Sequence, residues 1–290
     1  MQDMSLRGAL ARSARARIPR RYHYPLRQAA YELRALRYRG TRVSCPWCHG
    51  TFRTFLQHGA PSLPYLNTFC PRCCAFERHR LLWLYLTART QVFTAPLRML
   101  HVAPEYMVQK VFRSLPQTRY VSMDFSSSLA MMHADLTALP FRSDSFDVIL
   151  CSHVLEHIPA DRQAMAELYR VLRPSGWAML LVPVDWARYT TLEDPSIVDP
   201  AERARVFGQH DHVRLYGRDY VDRLSDAGFQ VRVDAYAATL EPQVVAQYGI
   251  NVREKLIIGT KADRGAAAQS AQAEEEYLSC SPPAFVEHAR

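Results

Sequence analysis

Between residues 97 and 260, short apolar runs alternate with stretches whose apolar residues recur at helical spacing. The runs fall at 98–102, 119–123, 131–134, 146–151, 178–183, 229–237 and 254–260. The helical stretches fall near 105–114, 160–172 and 218–227, the second closing at Pro174-Ser175-Gly176. Strands that alternate with helices must pair in parallel through crossover connections. The pattern predicts an α/β fold, a doubly wound Rossmann-like sheet of seven strands. Upstream, 77–90 reads as a helix bearing Leu81, Leu82, Trp83, Leu84, Tyr85 and Leu86, closed before Pro96 and apolar enough to dock on a neighbouring domain. Residues 43–75 are rich in Cys, Pro and aromatics and too few for a core without a staple.

These shifts divide the chain into a basic arm (1–42) with a helix expected at 26–38, a cysteine-rich module with its helix (43–96), the α/β domain (97–260) and a tail (261–290). Ala, Gln, Ser and Glu dominate that tail, which predicts disorder.

With 48% hydrophobic and 22% charged residues, the chain is not disordered as a whole. The net charge is +8, but 1–42 hold eleven arginines against Asp3 and Glu32, so the excess is confined to the arm. The charge therefore speaks to attachment, with RNA or an anionic membrane surface as possible partners, rather than to chemistry. The longest apolar run, 177–184, contains Pro183 and is far too short to span a membrane. No secretory apolar stretch opens the chain, although the Arg-rich start would suit a mitochondrial transit peptide in a eukaryotic source.

Seven cysteines, four of them in paired spacing, point to a reducing compartment, expected to be the cytoplasm. Cys45-Pro46-Trp47-Cys48 and Cys70-Pro71-Arg72-Cys73 stand 21 residues apart. Two such knuckles can place four thiolates around Zn²⁺ in a closed, structural site, a zinc ribbon. Cys74 and His49 are adjacent competitors for one position. The metal replaces a missing core; a second reading has Arg53, Arg72, Arg78 and Arg80 with nearby aromatics contacting RNA.

The segment Asp144-Ser145-Phe146-Asp147-Val148-Ile149-Leu150-Cys151-Ser152-His153-Val154-Leu155-Glu156-His157-Ile158, followed by Glu167-Leu168-Tyr169-Arg170-Val171-Leu172-Arg173-Pro174-Ser175-Gly176-Trp177, resembles the type 11 family of class I S-adenosylmethionine-dependent methyltransferases, with Ser175 where the family usually has glycine. The resemblance implies that Asp124 accepts the cofactor's ribose hydroxyls and that Asp135, with Leu136 beside it, receives the adenine amino group. It also places His101, Ala103, Glu105 and Ser152 around the cofactor. The family's glycine-rich first loop is absent: Leu100-His101-Val102-Ala103-Pro104-Glu105 stands there, and no glycine occurs between Gly59 and Gly176. That segment, with Glu77-Arg78-His79-Arg80 and Phe207-Gly208-Gln209-His210-Asp211-His212-Val213-Arg214, is similar to a subset carrying an N-terminal four-cysteine ribbon.

In that fold the loops after the fourth and fifth strands lie over the methyl group. His212, His210 and His153 are the candidate bases, because a histidine near neutral pH can take a proton from a hydroxyl or amine. Asp211 would orient one of them, Arg214 would clamp an anionic substrate, and Trp186 and Glu193 complete the candidate acceptor pocket. Glu156 and His157 are candidates too, or braces for the following helix. The expected activity is methyl transfer from S-adenosylmethionine to oxygen or nitrogen of a small molecule. The alternatives are an RNA methyltransferase held by arm and ribbon, and a non-enzymatic zinc-ribbon binding protein with a degenerate methyltransferase domain.

Overall fold

The computed structural model describes residues 20–58 and 65–263. The start of the basic arm and nearly all of the predicted tail lie outside them. The chain forms two units, one from the chain up to Phe93 together with Ala235–Lys255, the other from Thr94–Asp234 together with the chain from Leu256 onward.

The second unit is built on a seven-stranded sheet. Its strands are β1 (Leu97–Val102), β2 (Thr118–Asp124), β3 (Met132–His133), β4 (Phe146–Ser152), β5 (Leu172–Leu181), β6 (Gln230–Asp234) and β7 (Leu256–Thr260). The order across the sheet is β6-β7-β5-β4-β1-β2-β3. β1 through β5 pair in parallel, whereas β7 runs antiparallel to both β5 and β6. β1 and β4 are near-continuous apolar runs because helices cover both faces. Helices Tyr106–Ser114, Asp161–Val171 and Tyr220–Asp226 fall where the pattern placed them. Their buried residues, including Met165, Leu168 and Leu224, join a core with Leu100, Ile149 and Leu180. The order reverses direction between β1 and β4, the place where open α/β sheets leave a crevice beyond the carboxyl ends of the strands.

Two features depart from the expected glycine pattern and keep its backbone. Ser175 has φ 62° and Ala103 has φ 49°, both left-handed. A side chain there costs about 1–2 kcal/mol. Ser175→Gly is therefore expected to raise stability by about 0.5–1 kcal/mol, after the extra freedom glycine gives the unfolded chain. A denaturation midpoint that falls instead would show that the Ser175 hydroxyl, 3.3 Å from Asp263, matters more than the strain.

Lys261, read from sequence as the start of the tail, is anchored. Its ammonium donates to Asp144 at 2.8 Å and to the carbonyls of Tyr169, at 3.0 Å, and Leu172, at 2.8 Å, where helix Asp161–Val171 ends. A cation at that terminus satisfies carbonyls the helix leaves open.

Among its described residues the first unit opens on helix Arg20–Arg37, longer than the sequence pattern suggests. Two small antiparallel pairs follow, Arg39–Cys45 with Gly50–Phe52 and Leu56–His58 with Tyr65–Phe69, then helix Glu77–Arg89. Residues 235–255, assigned from sequence to the α/β domain, cluster here, with Tyr236 edge-on to Tyr85 at 5.4 Å. The link is Arg80, fully buried rather than turned toward RNA. Its guanidinium stacks on Phe55 at 3.8 Å and donates to the carbonyls of Thr68, Ala75, Tyr248 and Gly249. Gly249, at φ 55°, ends helix Pro242–Tyr248 in a left-handed turn, and a Cβ there would meet the Phe55 ring at 2.9 Å. Among the described residues, no helix is long and apolar enough to cross a membrane.

Candidate functional site

The crevice beyond β1, β2 and β4 is a cavity of about 480 Å³. Its walls include Val102, Met123, Leu136, Val154 and Ile158, and Asp124 and Asp135 line it as well. Asp124 ends β2, and its Oδ1 accepts from the backbone N–H of Ser126 at 2.7 Å and Ser127 at 2.6 Å. Those bonds fix the carboxylate and leave Oδ2 for a ligand. Asp135 Oδ1 accepts from the N–H and hydroxyl of Thr137, both at 2.8 Å, which holds its carboxyl below the usual range. The loop between them is braced from behind. Ser122 donates to Gln109 Oε1 at 2.7 Å, and Gln109 Nε2 donates to the Leu129 carbonyl at 2.8 Å.

Ala103 lines the cavity, and its N–H donates to the Met123 carbonyl at 2.8 Å. His101 and Glu105, expected at the cofactor, stand behind it and do not line it. Tyr120 Oη lies 2.8 Å from His101 Nδ1, and His101 Nε2 lies 3.0 Å from Glu105 Oε2. Burial raises the Tyr120 phenol, keeping it a donor, so the imidazole passes its own N–H to Glu105. This relay replaces glycine freedom: it ties β1, β2 and the helix start into one rigid turn. Ser152 is also outside the cavity wall, its hydroxyl buried without a hydrogen-bond partner.

Phe125, Thr137, His157, Pro159 and Ala160 also line the cavity. Phe125 follows the acidic strand end and is 77% exposed, a signal the sequence could have offered as an apolar side chain next to a ligand-binding carboxylate.

The acceptor candidates separate sharply. His210 is exposed and away from the cavity wall. His212 is buried, with Nδ1 3.1 Å from the Phe207 carbonyl, and burial lowers its pKa. Its ring stands edge-on to His157 at 4.8 Å. Asp211 faces His157, at 3.5 Å, and His210, at 3.8 Å. His153 takes a left-handed φ of 56° and places Nδ1 3.3 Å from Glu156 Oε1.

Arg214 and Glu193 do not await a substrate. Arg214 is 4% exposed and donates to Glu193 at 2.9 Å and to the carbonyls of Leu155, Ile158 and Pro159. Arg223 bonds Glu193 at 2.7 Å and, with Arg214, pushes its carboxyl down to about 2. Asp161 joins this network through Arg223 at 3.1 Å and the Tyr216 hydroxyl at 2.8 Å. These arginines clamp the loop after β4 in place of an anionic ligand. Trp186 packs against the core.

In the first unit, Cys45, Cys48, Cys70 and Cys73 bring their sulfurs within 4.8 Å of one another. Cys45 and Cys73 are 3.5 Å apart, Cys48 and Cys70 3.6 Å. Tetrahedral thiolates at a zinc distance of about 2.3 Å would stand about 3.8 Å apart, so the set fits. Hydrogen bonding among the four sulfurs raises the Cys73 thiol and lowers that of Cys48. Cys74 is outside the set: its sulfur accepts from Arg34 at 3.0 Å.

The profile described as "Methyltransferase domain" matches residues 100–180, from β1 to the end of β5. Residues 100–180 thus resemble a methyltransferase domain. Demethylmenaquinone methyltransferase of Clavibacter sepedonicus is 30% identical over 109 residues, 33% of this chain and 44% of that protein. An uncharacterized methyltransferase of Mycobacterium marinum is 47% identical over 51 residues, 18% of this chain and 20% of its own length. The chain thus spans less than half the length of these curated relatives. Among solved structures, the YcgJ protein of Bacillus subtilis aligns with 64% of this chain and 99% of its own at 17% identity and a TM-score of 0.42. The matched segment contains Ala103, Asp124, Asp135 and His157, residues that converge on the cavity.

Proposed function

We propose that the chain transfers a methyl group from S-adenosylmethionine to an oxygen or nitrogen atom of a small molecule. The observation that carries this reading is the cavity lined by apolar side chains and by two residues with fixed carboxylates, Asp124 and Asp135. That donor set fits the cofactor: Asp124 would take the ribose hydroxyls, Asp135 the adenine amino group, and Leu136 the ring face. When bound, the cofactor supplies an activated methyl carbon. The chain's own task is then alignment, exclusion of water by Val154 and Ile158, and management of the acceptor's proton by the group around His157.

Calorimetry with S-adenosylhomocysteine tests this. Asp124→Ala is expected to weaken binding about 10- to 150-fold, the loss of hydrogen bonds to a charged group. Native protein that binds none of this ligand would overturn the reading. We further infer that the four-cysteine cluster holds a structural zinc ion, because four protein sulfurs leave no open position for chemistry. An RNA substrate draws no support from Arg80, which is consumed inside the first unit.

A further inference from the structure

We propose that Glu156, His157 and His212 form a second metal centre, a three-ligand site for a divalent ion of the zinc type at the acceptor end of the cavity. One ligand atom from each residue lies within 4.8 Å of the other two. Glu156 is 1% exposed, and both of its carboxylate oxygens are buried without a hydrogen-bond partner. A buried carboxylate that accepts no hydrogen bond, and whose ion-pair contact with His153 Nδ1 is 3.3 Å long, is costly unless a cation compensates it. Tetrahedral ligands at about 2 Å from the ion stand about 3.4 Å apart, so side-chain movements of roughly 1 Å close the site.

The surroundings match what metal ligands require. A ligating histidine normally gives its other ring N–H to a carbonyl or carboxylate, which fixes the ring. His212 Nδ1 lies 3.1 Å from the Phe207 carbonyl, and His157 Nδ1 lies 3.2 Å from that of Asp211. Each arrangement leaves Nε2 for the ion. His153 Nδ1, 3.3 Å from Glu156 Oε1, would play the same part for the carboxylate, and its left-handed backbone is what brings it there. The Val213 N–H donates at 2.9 Å to the Glu156 carbonyl, tying the two ligand-bearing segments together. Arg214 fixes the same loops from the other side. Two imidazoles and one carboxylate are the ligand set of hydrolytic zinc sites, which keep a fourth position open.

His157 belongs to both this cluster and the cavity wall, so an ion held there would stand beside the cavity, where an acceptor could reach its open position. This role rests on the methyl-transfer reading; ion binding itself does not. An acceptor hydroxyl in that position would lose its proton to water near neutral pH. Its oxygen would then bond to the methyl carbon as the carbon–sulfur bond breaks and sulfur keeps the electron pair. The acceptor class is thus an alcohol or phenol rather than an amine already neutral enough to react.

The test is metal stoichiometry on the untagged full chain, equilibrated with Zn²⁺ and separately with Co²⁺. Two equivalents are expected, one giving the thiolate-to-cobalt charge-transfer absorption of a four-sulfur site and one without it. Glu156→Gln and His157→Gln should each lose only the second equivalent. His153→Ala should weaken it about 10- to 100-fold, as loss of an outer partner does. A native chain that binds one equivalent overturns the proposal, as does a second equivalent that persists in both glutamine variants. S-adenosylhomocysteine titration runs alongside: two equivalents of metal without nucleoside binding would sink methyl transfer and leave the centre standing, and the converse would do the reverse.

Discussion

Cys48→Ser is expected to unfold the first unit while leaving the sheet of the second intact. The ribbon's strands are three to seven residues long, and such short pairs do not hold alone. What they bury gathers around the sulfurs: Cys45 and Cys70 are buried, as are Phe52, Phe55 and Trp47. Removing one ligand leaves three thiols crowded at contact distance with no ion to neutralise them. Structural zinc contributes on the order of 10 kcal/mol to modules of this size, comparable to a typical domain's whole stability. The readout is built in. Trp47 donates to the His79 carbonyl at 2.6 Å and meets Trp83 edge-on at 4.8 Å, so unfolding shifts their emission to the red. A strong chelator should reproduce the shift. Cys74→Ser is the control, since its sulfur is engaged by Arg34 alone, and its cost should stay near 1 kcal/mol. Native-like emission from Cys48→Ser would remove the structural role of the cluster.

Arg80→Met is expected to cost about 3–5 kcal/mol, the second largest effect. Methionine fills much of the same space, but four carbonyls lose the Arg80 donor at once; Ala75 keeps the Cys70 N–H, and a buried acceptor left without a partner is expensive. Arg80→Lys should not rescue it, because an ammonium cannot present a planar fork to acceptors on both sides or stack on Phe55. Chemical denaturation followed through Trp47 and Trp83 gives the number. A loss under 1 kcal/mol would show that helix Pro242–Tyr248 is held by something else.

The sheet was legible because its central strands, β1, β4 and the end of β5, are near-continuous apolar runs, and burial on both faces demands that pattern. The cysteine set was legible from spacing, although the choice of Cys73 over Cys74 comes from the structure, which puts Cys73 3.5 Å from Cys45 and Cys74 against Arg34. Helices Pro200–Phe207 and Pro242–Tyr248 escaped because they bury one residue and none, whereas the equally short Tyr220–Asp226 buries Tyr220 and Leu224 at helical spacing. Their punctuation was present: proline at the first turn and a left-handed glycine after the last, Gly208 and Gly249. Arg214 was misassigned for a deeper reason. Its partners are mainly backbone carbonyls, and no residue type marks where a carbonyl will point. His212 and Glu156 were named individually from sequence, yet their convergence with His157 depends on how the loop after β4 meets the segment after helix Pro200–Phe207, which spacing does not encode.

The bond from Arg80 to Gly249 spans 169 residues. A ribosome adding about 5–20 residues each second needs roughly 8–34 seconds to cover that distance. During that interval the ribbon exists without the segment that completes it, its most costly charge exposed to water. A metal captured early would hold the four cysteines in register through the wait. β7 begins directly after 235–255, so the segments that complete the two units leave the ribosome in the same short stretch of synthesis.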